Sequence, residues 1–271
     1  MLIVNADDLA MTLGANAGIF DGFDRGVITH ASIMANCDYF DEAIDGVLQR
    51  DRFGLGMHLN ITYGKALKPN SLICNEDGLL NLGYLDLLKR RDKEFLEAIY
   101  NEWDAQIKRV LSATNGRELT HIDSHRHVHL IPHLYPLAIK LAKKYNITRV
   151  RLINEPLLGS LLLTKRFNFI VNGGIIKYML LRTFSALDAK YANYYKDINF
   201  YSILYTGVIG DDILQKLKNS PKTYEIMVHP SHTNLDKDVY FYDEAEKAYR
   251  VSKNRELELK SVLSLSKEDK S

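Results

Sequence analysis

Cysteine is scarce in this chain of 271 residues. Cys37 and Cys74 are the only two, with no Cys-x-x-Cys spacing. They cannot build a disulfide framework, and they fit a reducing compartment better than a secreted one. Excess charge of either sign is also missing. The 35 basic residues against 34 acidic ones leave a formal charge of +1, so no global field recommends a nucleic-acid or anionic-membrane partner. Nowhere does an uncharged apolar stretch reach the roughly eighteen residues of a membrane span. The opening MLIVNADD meets two carboxylates after four residues, without the basic and apolar regions of a signal peptide, and a cytoplasmic location is expected. Internal repeats and low-complexity linkers are lacking as well. One local excess stands out, Lys140 to Arg151, with five basic residues and no acid; it reads as a solvated helix face followed by a strand.

What is present is an alternation. Short apolar, β-branched runs alternate with longer segments of helical period, the pattern of an α/β protein with mainly parallel strands. Strands are predicted at Leu2–Asn5, Val27–Asn36, Gly54–Ile61, Leu119–Ser124, Arg149–Ile153, Asn199–Leu204 and Tyr224–Val228. The clearest helix runs from Lys93 to Ser112, where Phe95, Ile99, Trp103, Ile107, Val110 and Leu111 form one apolar stripe. Seven strands in βα units predict an irregular (β/α) barrel, a single domain over residues 1–265. Two segments fit that rhythm poorly, 62–83 and 155–197; both are expected to be insertions that act as a lid or an oligomer contact. Residues 266–271 read as a polar tail.

The chemistry is concentrated at strand ends. Five of the nine histidines, His121, His125, His127, His129 and His133, fall within thirteen residues. In an extended strand His121, Asp123 and His125 point to one side, and His125 sits at the C-terminal end, where α/β proteins keep their sites. Five imidazoles cannot share one ion, so His127, His129 and His133 divide between support, substrate contact and surface. Asn5-Ala6-Asp7-Asp8 ends the first strand with adjacent carboxylates that point opposite ways, one suited to a metal and the other to general-base work. His58 and His229 each end a further apolar run, the second stopped by Pro230. Asp7, Asp8, His58, His125 and His229 thus belong on one rim, and two histidines with one carboxylate suffice to hold a catalytic divalent metal.

The pieces NADDLAMTLGANAGI, GVITHASIMAN, GMHLNITYGKAL, THIDSHRHVHLIPH, RVRLINEP and IMVHP, spread over residues 4 to 230, resemble the YdjC-like (ChbG-type) carbohydrate deacetylases, a branch related to the NodB-type polysaccharide deacetylases. The resemblance implies an irregular barrel that removes acetyl groups from N-acetylglucosamine units of small chitobiose-type oligosaccharides or their phosphates. It implies one divalent ion, Zn or Mg, held by Asp8, His58 and His125, with Asp7 as general base and His229 as general acid. Asn60, Asp123 and Arg151 would then contact substrate or support the ligands. The family usually has Phe-Gly after the paired aspartates, where this chain has Leu9-Ala10, and Gly after His-Pro, where it has Ser231. Ala is not expected to take the φ > 0 conformations open to Gly, and Ser231 adds a hydroxyl near the site. A metal-dependent phosphoesterase and a non-catalytic metal- or sugar-binding protein are the competing expectations, and the apolar region from Leu157 to Phe184 is expected to form either a homo-oligomer contact or a buried lid.

Overall fold

The computed structural model describes residues 1–80, 82–164, 174–194 and 198–265. Six parallel strands form one curled sheet in the order β4-β3-β2-β1-β6-β5: β1 Leu2–Leu9, β2 His30–Ile33, β3 Gly54–Leu59, β4 Ile122–Ser124, β5 Ile198–Tyr201 and β6 Thr223–Val228. Helices pack around it: α1 Leu13–Asp24, α2 Phe40–Leu48, α3 Tyr84–Lys89, α4 Lys93–Ala113, α5 Tyr135–Lys144, α6 Leu157–Thr164, α7 Gly174–Asp188, α8 Asp211–Lys218, α9 Glu244–Arg250 and α10 Lys253–Ser264. This is a single α/β domain with a half-barrel sheet. None of the described helices is long and apolar enough to cross a membrane.

The predicted seventh strand at Arg149–Ile153 is reduced to a bridge beside β4. Ile122 N–H donates to the Arg149 carbonyl and Arg151 N–H to the Ile122 carbonyl, each at 2.8 Å. The chain then turns away, and Asn154 reaches the opposite edge of the sheet. Its side chain accepts from Phe200 N–H at 2.6 Å and donates to the Ile198 carbonyl at 2.8 Å. A carboxamide therefore spans the gap that a ladder would close, satisfying backbone groups on the β5 edge.

Helix α4 follows its apolar stripe. Asp92 caps it by accepting from Phe95 N–H, and Phe95, Ile99, Trp103, Ile107 and Val110 have no exposed surface. Its polar residues hold the segment 62–83 in place. Glu102 accepts from Leu67 and Lys68 N–H, while the Gln106 side chain pairs both backbone groups of Asn60. The basic stretch departs from its solvated reading. Lys144 pairs with Asp104 at 2.6 Å, but Arg149 pairs with the buried Glu225 and Arg151 is fully enclosed.

The turn after β1 corrects another expectation. Ala10 does adopt a positive φ, 80°, two residues after Asp8 at 71°. Asn16 accepts from Ala10 N–H at 2.8 Å and Met34 N–H donates to the Leu9 carbonyl at 2.9 Å, so surrounding bonds impose a conformation that Ala disfavours. The left-handed penalty of about 1–2 kcal/mol exceeds the roughly 0.4–1 kcal/mol by which Gly loosens the unfolded chain. Ala10→Gly should therefore raise unfolding free energy in urea by up to about 1 kcal/mol, and a loss of stability would show that the Ala methyl packs more favourably than the turn strains.

Candidate active site

The strand ends converge. Asp7 and Asp8 come from β1, His58 from β3, Asp123 from β4, His125 from the 3-10 turn that follows it, and His229 from the residue after β6. Neighbouring Asp7 and Asp8 face different partners, as extended backbone followed by a left-handed residue requires. Thr12, not either aspartate, caps α1 by accepting from Ala15 N–H.

Asp8, His58 and His125 bring their donors together. Asp8 Oδ1 lies 3.3 Å from His58 Nε2 and 3.2 Å from His125 Nδ1, the separation of donors that share one ion at bond lengths of about 2.0–2.2 Å. All three side chains are buried. The donor set, two imidazoles and a carboxylate with a cavity beside them, fits a catalytic divalent metal that keeps open positions. Asp123 receives the other ring nitrogen of His58, Nδ1, at 2.6 Å, the carboxylate–histidine arrangement that orients a metal-bound imidazole. Burial opposes a charge on His58, but Asp123 and Asp8 outweigh it and raise the imidazole to about 10.

Asp7, His58 and Asp123 also approach one another, but a guanidinium already fills that side. Arg151 meets Asp7 with two nitrogens, at 2.6 and 2.8 Å, Asp123 at 2.7 Å and Glu225 at 2.8 Å. Burial works against the charge on Arg151; the carboxylates Asp123, Asp7 and Glu225 overcome it and hold it above its usual value. Desolvation likewise opposes ionisation of Asp123, and Arg151 with His58 drives it well below the carboxylate range. Asn5 donates to Asp7 at 2.7 Å and to Ser32, whose hydroxyl donates to Asp123.

Residues from the C-terminal helices complete the rim. Arg250 on α9 holds Asp8 Oδ2 at 2.5 Å and pairs with Glu246, whose other oxygen lies 3.8 Å from His125 Nε2. His229 Nε2 is 3.8 Å from Asp8, and its Nδ1 is 3.8 Å from Glu258 on α10. Burial and then Arg255 push His229 below the ordinary imidazole value, with Glu258 and Asp8 working the other way. Glu246, Tyr249, Arg250, Arg255 and Glu258 were not expected from the sequence. A Glu and an Arg four residues apart on a short helix read as a surface pair, and only their burial shows otherwise.

The remaining candidates separate clearly. His121 joins the interior network through Ser32 at 2.9 Å. His129 is satisfied on both sides, by the Ser124 hydroxyl at 2.6 Å and the Arg151 carbonyl at 3.0 Å. His133 donates to the Leu87 carbonyl. His127 lines the cavity. Asn60 does not: its amide donates to Asn36 and the Tyr63 carbonyl and accepts from Thr62 N–H, which fixes the turn after β3. The Ser231 hydroxyl is also turned away, donating to Asp236 at 3.1 Å. That carboxylate accepts from Gly14 N–H and Thr12 as well, tying the loop after β6 to the start of α1.

These groups open onto a cavity of about 770 Å³, lined by Asp7, Asp8, His58, His125, His127 and His229 on one side and by Lys177, Tyr205 and Tyr249 on others. The insertion at 155–197 contributes Gly174 and Lys177 from α7, whereas no described residue of 62–83 lines it. The profile of the YdjC-like protein family matches residues 1–268. The chain belongs to the YdjC-like protein family. YdjC-like relatives include a carbohydrate deacetylase of Brevibacillus brevis, 35% identical over 147 residues (54% of this chain, 57% of that protein). A carbohydrate deacetylase of Vibrio cholerae is 35% identical over 146 residues (54% and 56%). A chitooligosaccharide deacetylase of Salmonella newport is 33% identical over 147 residues (54% and 57%). The chain thus spans little more than half the length of the curated relatives it matches. A crystal structure from Enterococcus faecalis, provisionally described as a cellobiose-phosphate cleavage protein, superposes with a TM-score of 0.70 at 25% identity and covers 99% of this chain and 92% of that one.

Two outcomes follow for the YdjC-like site. Asp123→Asn should weaken divalent-metal binding about 10–100-fold, as removal of an orienting partner does, measured by calorimetry; unchanged affinity would detach Asp123 from His58's role. Asp8, Asp123, Glu225 and Glu258 are all held below their ordinary values although buried. The unfolded chain therefore takes up protons first on acidification. The stability they supply is complete above about pH 5 and lost as pH falls below about 4, so the thermal midpoint should drop steeply there.

Proposed function

We propose that this protein is a metal-dependent N-deacetylase that hydrolyses the acetamide of N-acetylglucosamine units in small chitobiose-type oligosaccharides, including phosphorylated ones. One observation carries the reading: Asp8, His58 and His125 converge at a cavity of about 770 Å³ that is flanked by a second carboxylate, Asp7, and a further imidazole, His229. That volume suits a small-molecule ligand. The deacetylase names of the relatives support the choice of bond.

A divalent ion held by Asp8, His58 and His125, Zn or Mg, would supply Lewis acidity toward the acetamide oxygen and make a bound water more acidic. Asp7 accepts the proton of the attacking water. Its two oxygens rest in the fork of Arg151 and Oδ1 also accepts from Asn5, which positions the base while leaving one lone pair, on Oδ2, for the proton. His229 delivers a proton to the sugar amine as the C–N bond breaks, and acetate is the other product. Because the buried His229 starts below its usual value, the proton it delivers is the one Asp7 has taken from the water and passes on through solvent in the cavity, which leaves Asp7 ionised again; Glu258 stands behind the His229 Nδ1 to support the imidazolium. Both sides of the stoichiometry are then met: water and amide give acetate and amine.

Two other expectations keep their place in this reading. Cys37 and Cys74 are unpaired thiols, which supports a cytoplasmic setting. Exposed apolar side chains on two helices, Leu158 and Leu162 on α6 and Ile176 and Met179 on α7, are the kind of surface a homo-oligomer would cover.

The test is acetate release from N,N′-diacetylchitobiose and its 6-phosphate by metal-reconstituted protein, beside a chelated control. Asp7→Ala and His229→Ala should each lower kcat by at least about 10²-fold while one metal per chain is retained. Full activity in either variant would remove that residue from the proton path, and no acetate from either sugar would end the reading.

A further inference from the structure

His127 is the buried imidazole of the histidine cluster that none of the described residues serves. It is 4% exposed and lines the cavity, and among the described residues neither ring nitrogen has a hydrogen-bond partner. The contrast with His129, two residues on and equally buried, is direct, since both of that ring's nitrogens are bonded to protein groups. Leaving a buried polar group unpaired costs about 1–3 kcal/mol. The backbone adds a further cost. Arg126 and His127 are consecutive non-glycine residues at φ 55° and 57°, a left-handed pair that persists only where surrounding contacts impose it. Those contacts are present: Arg126 is held by Asp243 and Glu246 at 3.3 and 3.1 Å, and Ser124 accepts from His129 N–H at 2.9 Å just beyond. The strained pair carries the chain past His125 and puts the His127 ring on the cavity wall instead of beside the metal donors. Lys177 on α7 lines the same cavity, so its wall carries a cation as well as the imidazole.

We propose that His127 is a sugar-contacting residue, whose imidazole hydrogen-bonds a hydroxyl of the acetylated sugar at a subsite separate from the Asp8, His58 and His125 centre. Nδ1 is shut off from solvent, which leaves Nε2 as the nitrogen that meets the ligand. A polyol is the class of ligand that fits, because a hydroxyl both donates and accepts and so suits an imidazole in either tautomer. The inference rests on the deacetylase reading and refines it. Recognition and bond cleavage would fall to different members of one histidine run, His127 and His125.

The test compares wild type with His127→Phe, which keeps ring shape and removes both nitrogens, and His127→Asn, which tolerates a left-handed backbone and keeps a donor and an acceptor. Each is loaded with metal and assayed for acetate release from N,N′-diacetylchitobiose and from its monodeoxy analogues. His127→Phe should raise KM about tenfold or more, with kcat within about threefold and one metal per chain, and His127→Asn should recover part of the loss. At least one monodeoxy analogue should be penalised by wild type but not further by His127→Phe, a cancellation that a merely structural role would not produce. The inference is overturned if His127→Phe keeps the wild-type KM, or if every analogue is penalised equally in both proteins. Should His127→Phe fail to fold, His127→Asn against the analogue series decides by the same criterion, its penalty at the contacted hydroxyl changing while the others do not. Wild-type protein that releases no acetate would fail at the earlier step, and the subsite would fall with the deacetylase reading.

Discussion

Arg151 is the constraint on which the rest of the site depends. One guanidinium with no exposed surface meets Asp7, Asp123 and Glu225, carboxylates contributed by β1, β4 and β6. Three acids enclosed without it would repel one another in a medium that screens poorly. Only a planar fork with five donors serves them all at once, which a lysine ammonium could not do. The consequence is mechanical as well as electrostatic. Arg151 fixes the Asp7 carboxylate, and Asp123 sets the orientation of His58. Because both carboxylates lean on the same guanidinium, Asp7 and His58 keep a fixed relation. The seventh β-segment is short for a related reason: its chain serves mainly to bring Arg151 under the site and Asn154 across to β5.

The parts of the site that end apolar runs were legible in the sequence. An apolar β-branched run followed at once by Asp7-Asp8, His58, His125 or His229 has few structural explanations, and parallel strands bring such ends to one rim. Helix α4 was equally legible because its stripe repeats over many turns. Other features leave no such signal. Glu246 and Arg250 look like any solvated pair, and their burial comes from α9 folding over the rim, a tertiary fact. Arg151 sat in a basic stretch whose neighbours Lys143 and Lys144 do face outward. The bond from Asn154 to β5 depends on the two sheet edges coming within a side chain's reach, which no local pattern encodes.

The histidine cluster shows why residue density alone misleads. Strand alternation sends His121 into the interior network and His125 to the metal donors. The left-handed pair at Arg126 and His127 then breaks the alternation, and everything after it is redistributed. His129 becomes a brace between Ser124 and the Arg151 backbone, and His133 fastens to α3 at Leu87. One motif thereby supplies a member of the Asp8–His58–His125 cluster, a brace and a cavity wall within a few residues. The turn after β1 obeys the same logic, since Asp8 and Ala10 hold positive φ under the control of Asn16 and the Leu9–Met34 bond.

Two adjacent aspartates acquire different roles through two different arginines. Arg151 grips both oxygens of Asp7 from inside the barrel, which fixes the plane of that carboxylate without giving it a metal to bind. Arg250 grips one oxygen of Asp8 from the C-terminal helix, which leaves Oδ1 alone facing His58 and His125. The residues that would hold a divalent ion, Asp8, His58 and His125, are thus arranged with one oxygen of Asp8 facing the imidazoles and the other engaged by Arg250. Residues 8 and 250 must therefore pack together before the donor set has this form. Assembly of the Asp8, His58 and His125 cluster is tied to docking of α9 through the Asp8–Arg250 pair.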